Sequence, residues 1–167
     1  MPKPPVPPSR RSPHITAAGF RRLQAELGTT WVTRREVVAA LAAAAAEGDR
    51  SENAEYVYRK KQLRELDRRI RYLQKRLPEL QVVDSVPDDA ARVFFGAWAT
   101  LEDTQGSIAT YRIVGADEFD PKRRWISVDS PMARALLQRV VDEEVRVRAP
   151  EGVRRYRLVS VSYDDPG

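Results

Sequence analysis

The sequence has no cysteine, and His14 is the only histidine among its 167 residues. Disulfides, thiolate zinc sites and a cysteine nucleophile are excluded, and the lack fits a reducing cytoplasm. One histidine is too few for a histidine-rich metal centre, and a histidine-based triad is not expected. No run of about 18 apolar residues occurs, and the N-terminus lacks the apolar stretch of a signal peptide. A cytoplasmic protein with no membrane association is expected. Charge is plentiful instead: 32% of residues are charged against 42% hydrophobic. That balance suits a folded chain with a large surface, such as a long helical arm. The formal net charge is only +5, so its distribution along the chain says more than its total.

Residues 1–13 hold six prolines and three basic residues and read as a disordered, Pro-rich basic tail. Thr16 is the expected N-cap of the first helix. From there Phe20, Leu23, Leu27, Val37, Leu41 and Ala44 follow a 3-4 alternation, with Thr30 and Arg34 in its polar slots. A second run, Leu63, Leu66, Ile70, Leu73, Leu77 and Leu80, repeats the pattern, and Tyr56 extends it backwards. Two heptad-patterned helices joined by a short turn predict an antiparallel coiled-coil hairpin. At about 30 residues per helix the arm would be ~45 Å long. The hairpin is expected over 14–84, with its tip near 47–53.

Residues 85–167 change texture. Strands are expected at 93–101, 107–114, 125–128, 145–148 and 155–161. Ser130-Pro131, a hydroxyl N-cap with proline at the first helical position, opens a short helix over 132–138. The fold class is therefore α+β in two domains: the helical hairpin, then an antiparallel sheet with one short helix.

The hairpin is polarised in charge. Its tip carries Glu47, Asp49, Glu52 and Glu55 against Arg50 alone. Behind it, residues 59–76 contain nine Lys or Arg and two acids. Five of these, Lys61, Arg64, Arg68, Arg71 and Lys75, share a 3-4 spacing that sets them on one stripe away from the apolar seam. Such a stripe suits a polyanion or an acidic groove, with a merely solubilising face as the alternative. Asp49-Arg50-Ser51-Glu52 has two readings as well. It has the form of a capping box. It could also be half of a hard-metal site, since Mg²⁺ wants six oxygens and the rest would come from a partner, water or substrate.

Gly48-Asp49-Arg50-Ser51-Glu52-Asn53-Ala54-Glu55-Tyr56 resembles the tip signature of the Gre family of bacterial transcript-cleavage factors. Tyr58-Arg59-Lys60-Lys61 and Asp67-Arg68-Arg69-Ile70-Arg71-Tyr72-Leu73 resemble the second helix of its GreB branch. Val93-Phe94-Phe95-Gly96-Ala97-Trp98, Tyr111-Arg112-Ile113-Val114-Gly115 and the segment from Asp129 to Leu137 continue the resemblance, in order. Val141 stands where the family usually shows glycine. The resemblance implies a C-terminal domain like FKBP-type domains that docks on bacterial RNA polymerase, with Asp129, Ser130 and Pro131 in contact. It implies a hairpin entering the secondary channel, where Asp49 and Glu52 share a second Mg²⁺ with the polymerase. No cofactor would be bound stably by the chain alone. The basic stripe would contact the nascent RNA 3′ segment. The protein would then be an accessory activator of the polymerase's nuclease rather than an enzyme, and a monomer is expected. A channel-binding inhibitor, a prolyl isomerase and a coiled-coil RNA-binding scaffold are the alternatives.

Overall fold

The structure, a computed structural model, describes residues 10–47 and 53–167. The chain divides into two compact units, one made of residues 20–79 and the other of 1–19 with 80–167.

The first unit is the hairpin. Helix α1 spans Ala17–Ala46 and helix α2 spans Ala54–Arg76, followed by a 3₁₀ turn at Leu77–Glu79. Beyond its first turn, the buried residues of α1 are Leu23, Thr30, Val37 and Ala44, one per heptad. Phe20, Leu27, Arg34 and Leu41 are half-buried between them. The 3-4 alternation is thus the seam itself, as a coiled coil requires. Its polar members are satisfied. The Thr30 hydroxyl donates to the Glu26 carbonyl at 2.7 Å, and Arg34 Nε reaches Asp67 Oδ1 on the other helix at 2.6 Å. Arg69 grips Glu26 with two bonds, at 2.6 and 3.0 Å. Exposed pairs of this kind add about 0–1 kcal/mol each, so their main effect is to fix the register of the two helices.

α2 is shorter than expected, 23 residues against 30 in α1. Pro78 explains its end: the ring removes a donor and crowds the preceding turn, so the chain tightens into 3₁₀ geometry.

The second unit is built on a five-stranded sheet in the order β5-β4-β3-β7-β6. The strands are β3 (Trp98–Asp103), β4 (Ile108–Val114), β5 (Trp125–Ser127), β6 (Glu144–Ala149) and β7 (Gly152–Ser162). Helix α3, Pro131–Leu136, packs against it. Three pairings are antiparallel, but β4 and β5 run parallel, so the sheet is mixed rather than wholly antiparallel. The crossover between β4 and β5 is made by two 3₁₀ turns, Ala116–Glu118 and Pro121–Arg123. The inward alternation is plain in β6, where Val145 and Val147 are buried between exposed Glu144, Arg146 and Arg148. Leu101, Ile113, Leu136 and Leu158, each 1% exposed or less, complete the core with them.

One expected strand begins late. Residues 93–97 form a turn, with Ala97 N donating to Phe94 O at 3.1 Å and Gly96 at φ +87°. Val93 is nonetheless fully buried, because its backbone exchanges bonds of 3.0 and 2.7 Å with Arg139 and Gln138 after α3. Val141 is not among the positive-φ residues. It keeps an ordinary backbone, and Asp142 takes the left-handed conformation beside it at φ +75°.

Short strands β1 (His14–Thr16) and β2 (Gln81–Val83) pair in parallel, which is why residues 14–19 and 80–84 group with the sheet unit. Thr16 caps α1 as expected, its hydroxyl accepting from Gly19 N at 3.0 Å. A buried carboxylate, Glu118, holds that cap. It accepts from Thr16 N at 3.1 Å, from Gly115 N at 2.8 Å and from the Thr16 hydroxyl. A Cβ at Gly19 would lie 2.0 Å from Glu118 Oε1, so only glycine admits the carboxylate there.

Candidate functional site

The stripe on α2 is a consequence of the seam. With Ile70 and Leu73 turned inward, 3.6 residues per turn sends Lys61, Arg64, Arg68, Arg71 and Lys75 outward. All five are exposed. None makes an ion pair among the described residues. Three of the four basic residues of residues 59–76 that lie off the stripe behave otherwise, Lys60 being the exception. Arg59 pairs with Glu55 at 2.8 Å, Arg69 with Glu26 at 2.6 Å, and Arg76 with Glu79 at 3.8 Å. Glu55, Glu26 and Glu79 therefore pair with cations beside the stripe, and none of the five stripe cations has an ion-pair partner among the described residues. It extends ~21 Å from Lys61 to Lys75 at helical rise. Val57 and Tyr58, 55% and 59% exposed, precede it near the turn. Val57 is in phase with the stripe, at the 3-4 spacing one turn before Lys61.

Asp49 and Glu52 lie outside the described residues. What is described beside them changes how their spacing is read. The N-cap of α2 is Asn53, whose side chain accepts from Tyr56 N at 3.1 Å. The capping-box reading put that role on Asp49. Asn53 takes it because it stands directly before Ala54, the first helical residue, where its short side chain reaches the unpaired N–H three positions on. The other end of the same side chain donates to the Ala44 carbonyl at the end of α1, at 2.9 Å. Among the described residues no three His, Cys, Asp or Glu side chains group as metal ligands.

In the sheet unit, Ser130 is the N-cap of α3 and accepts from Ala133 N at 3.2 Å, with Pro131 at the first helical position. Asp129 Oδ2 accepts from Ser12 N at 2.9 Å. Asp129 and Ser130, but not Pro131, border an open hollow of about 460 Å³ that also has Arg10, Arg11, Phe119, Ile126 and Arg134 on its walls. Phe119 is 61% exposed. Asp129 and Ser130 thus sit at a surface with both apolar and cationic groups, while also holding local structure.

An isomerase would need an aromatic-walled pocket. The two tryptophans closest to such a role are otherwise engaged. The Arg112 guanidinium lies 4.0 Å from the Trp98 ring centre and 5.0 Å from that of Trp125, and Arg123 covers Trp125 at 5.1 Å. The ladder follows from register, since Trp98 faces Arg112 and Arg112 faces Trp125 on adjacent strands. Spacing in the sequence alone did not reveal it, because it depends on strand pairing. No helix among the described residues is long and apolar enough to cross a membrane.

Known proteins resemble the chain over most of its length. A family described as transcription elongation factor, GreA/GreB, C-terminal, matches residues 88–163, and one described as transcription elongation factor, N-terminal, matches residues 14–82. The transcription elongation factor GreB of Xanthomonas axonopodis pv. citri is 59% identical over 160 residues, covering 94% of this chain and 95% of that one. That of Haemophilus ducreyi is 52% identical over 155 residues, covering 92% and 96%. Among solved structures, the GreA factor homolog 1 protein of Thermus thermophilus matches 89% of this chain and 97% of its own, at 23% identity and a TM-score of 0.41.

Proposed function

The chain belongs to the GreA/GreB family of transcription elongation factors, and from that premise we propose that it binds backtracked bacterial RNA polymerase and stimulates cleavage of the nascent RNA 3′ end. It is not itself the nuclease in this reading. The hairpin enters the secondary channel, and the tip delivers Asp49 and Glu52 to the polymerase's catalytic centre. Two carboxylates are hard oxygen donors, which fit Mg²⁺ and fall short of its six ligands, so the polymerase and water supply the remainder. When bound, the ion activates water and stabilises charge on the scissile phosphate.

The observation that carries this reading is the uncompensated stripe. Five exposed cations on one face of α2, without ion-pair partners among the described residues, follow an acidic stretch of sequence, while Arg59, Arg69 and Arg76 beside them are paired. An extruded RNA strand would find its phosphates opposed by Lys61, Arg64, Arg68, Arg71 and Lys75, and contacts to phosphate orient a strand without reading its sequence. Asp129, Ser130 and Pro131 dock the sheet unit on the polymerase, beside the hollow with exposed Phe119.

The test uses a stalled, backtracked elongation complex carrying labelled RNA, with and without the protein and Mg²⁺. Release of short 3′ fragments that depends on both supports the reading. No release above the polymerase's own rate sinks it and favours channel inhibition.

A further inference from the structure

We propose that the tail segment just ahead of β1 completes the docking surface beside Asp129 and makes it a receptor for an acidic segment of the polymerase. This rests on the polymerase partnership of the function proposed above. The tail is held there by its backbone. Ser12 N donates to Asp129 Oδ2 at 2.9 Å, and the Pro13 carbonyl accepts from Gln81 N at 2.8 Å, at the start of the β1–β2 pairing. Arg10 and Arg11 directly precede this pin and are carried to the wall of the hollow that Phe119, Ile126, Asp129 and Arg134 also line. The match to the N-terminal family description begins at residue 14, so the two tail cations stand ahead of the residues that it covers.

Charge and surface character together select the occupant. Three arginines and one carboxylate line the hollow, and one oxygen of that carboxylate is already engaged by the Ser12 amide. Arg10 and Arg134 are exposed and have no ion-pair partner among the described residues. Phe119, 61% exposed, gives the same hollow an apolar wall together with Ile126. A nucleic-acid strand would be followed by cations in series, as on α2. Here cations and apolar groups share one hollow of about 460 Å³, a volume that admits a bulky side chain. The arrangement suits a protein segment that brings carboxylates to Arg10 and Arg134 and an apolar side chain to Phe119. Apolar contact then supplies affinity, while the arginines govern approach and the choice of partner.

The test compares Arg10→Glu and Arg134→Glu with Arg148→Glu, which makes the same charge change at an exposed site on β6 outside the hollow. The full chain is titrated onto polymerase free of nucleic acid and onto the backtracked elongation complex, at low and high salt, with melting followed alongside. At low salt the affinity for both polymerase forms should fall about threefold or more for each hollow variant, and less than about twofold for Arg148→Glu. The gap should narrow at high salt, where screening removes the attraction. Phe119→Ala should weaken binding at both salt concentrations alike. Melting should stay at the wild-type value in every variant, because each replaced side chain is exposed. With the wild type bound, hollow variants that bind no worse than Arg148→Glu would overturn this surface alone. Loss confined to the elongation complex would assign the cations to nucleic acid and overturn it as well. If the wild type itself fails to occupy the polymerase, the proposed function falls and takes this surface with it.

Discussion

The hairpin and the sheet unit bury their residues on different plans. Beyond its first turn α1 hides Leu23, Thr30, Val37 and Ala44, one per heptad, and leaves most of its circumference in water. The sheet unit closes Leu101, Ile113, Leu136, Val145 and Leu158 into one core between its sheet and α3. The candidate functional residues follow this division. On α2 the stripe cations touch nothing that holds the fold, so charge can change there with little structural consequence. In the sheet unit Ser130 caps α3 and Asp129 holds the Ser12 amide, so the residues proposed for docking also hold the fold. On the proposed roles, function would be separable from stability on the arm and entangled with it in the sheet unit.

The strongest challenge to that contrast is a core truncation. Leu158→Ala, in the middle of the sheet, should destabilise its unit by about 2–5 kcal/mol, read by denaturant unfolding with Trp98 and Trp125 fluorescence. A loss below about 1 kcal/mol would mean that the core is less tightly packed than its burial implies. Next comes Glu118→Ala, which leaves Thr16 N, the Thr16 hydroxyl and Gly115 N without their acceptor. A loss of about 3 kcal/mol is expected, with Glu118→Gln milder because one oxygen remains. Equal effects of Ala and Gln would place the role in charge rather than geometry.

The arm should answer oppositely. Neutralising Arg64, Arg68 and Arg71 together should alter stability by no more than about 0.5 kcal/mol each. RNA affinity should weaken, and the slope of log K against log salt should become shallower by about 2 if all three face phosphates. Cleavage of long backtracked RNA should suffer more than that of short; equal loss would count against an RNA role for the stripe.

The smallest expected effect concerns Tyr163. Burial pushes its phenol above the ordinary value of 10, an effect that the Phe94 N–H bond partly offsets. A raised folded value means the native state holds the proton more tightly. The resulting stability is present in full below about pH 10 and is lost as pH rises through the folded value. Tyr163→Phe should flatten that alkaline decline in a melting series, and an unchanged profile would assign it to other groups.

The same contrast decides what the sequence made legible. The hairpin seam could be read residue by residue, because a coiled coil is a local periodicity. The stripe followed from it by helical geometry. Ser130-Pro131 was also readable, since an N-cap reaches only two or three residues along the chain. Harder features depended on distant partners. The strand expected at 93–101 begins at Trp98 because Val93 bonds to residues after α3. The parallel β4–β5 pairing and the Trp98–Arg112–Trp125 ladder need register, which periodicity does not supply. At the tip, a capping-box pattern competed with Asn53 one residue further on, and only the start of α2 at Ala54 separates them.

The claim that matters most is that the tip acts through its carboxylates and not through its fold. Asp49→Asn and Glu52→Gln, singly and together, should be compared with the wild type on the same backtracked complex, with polymerase occupancy and melting measured alongside. The account predicts wild-type occupancy and melting with stimulated cleavage abolished. Variants that melt well below wild type yet still release 3′ fragments would contradict it.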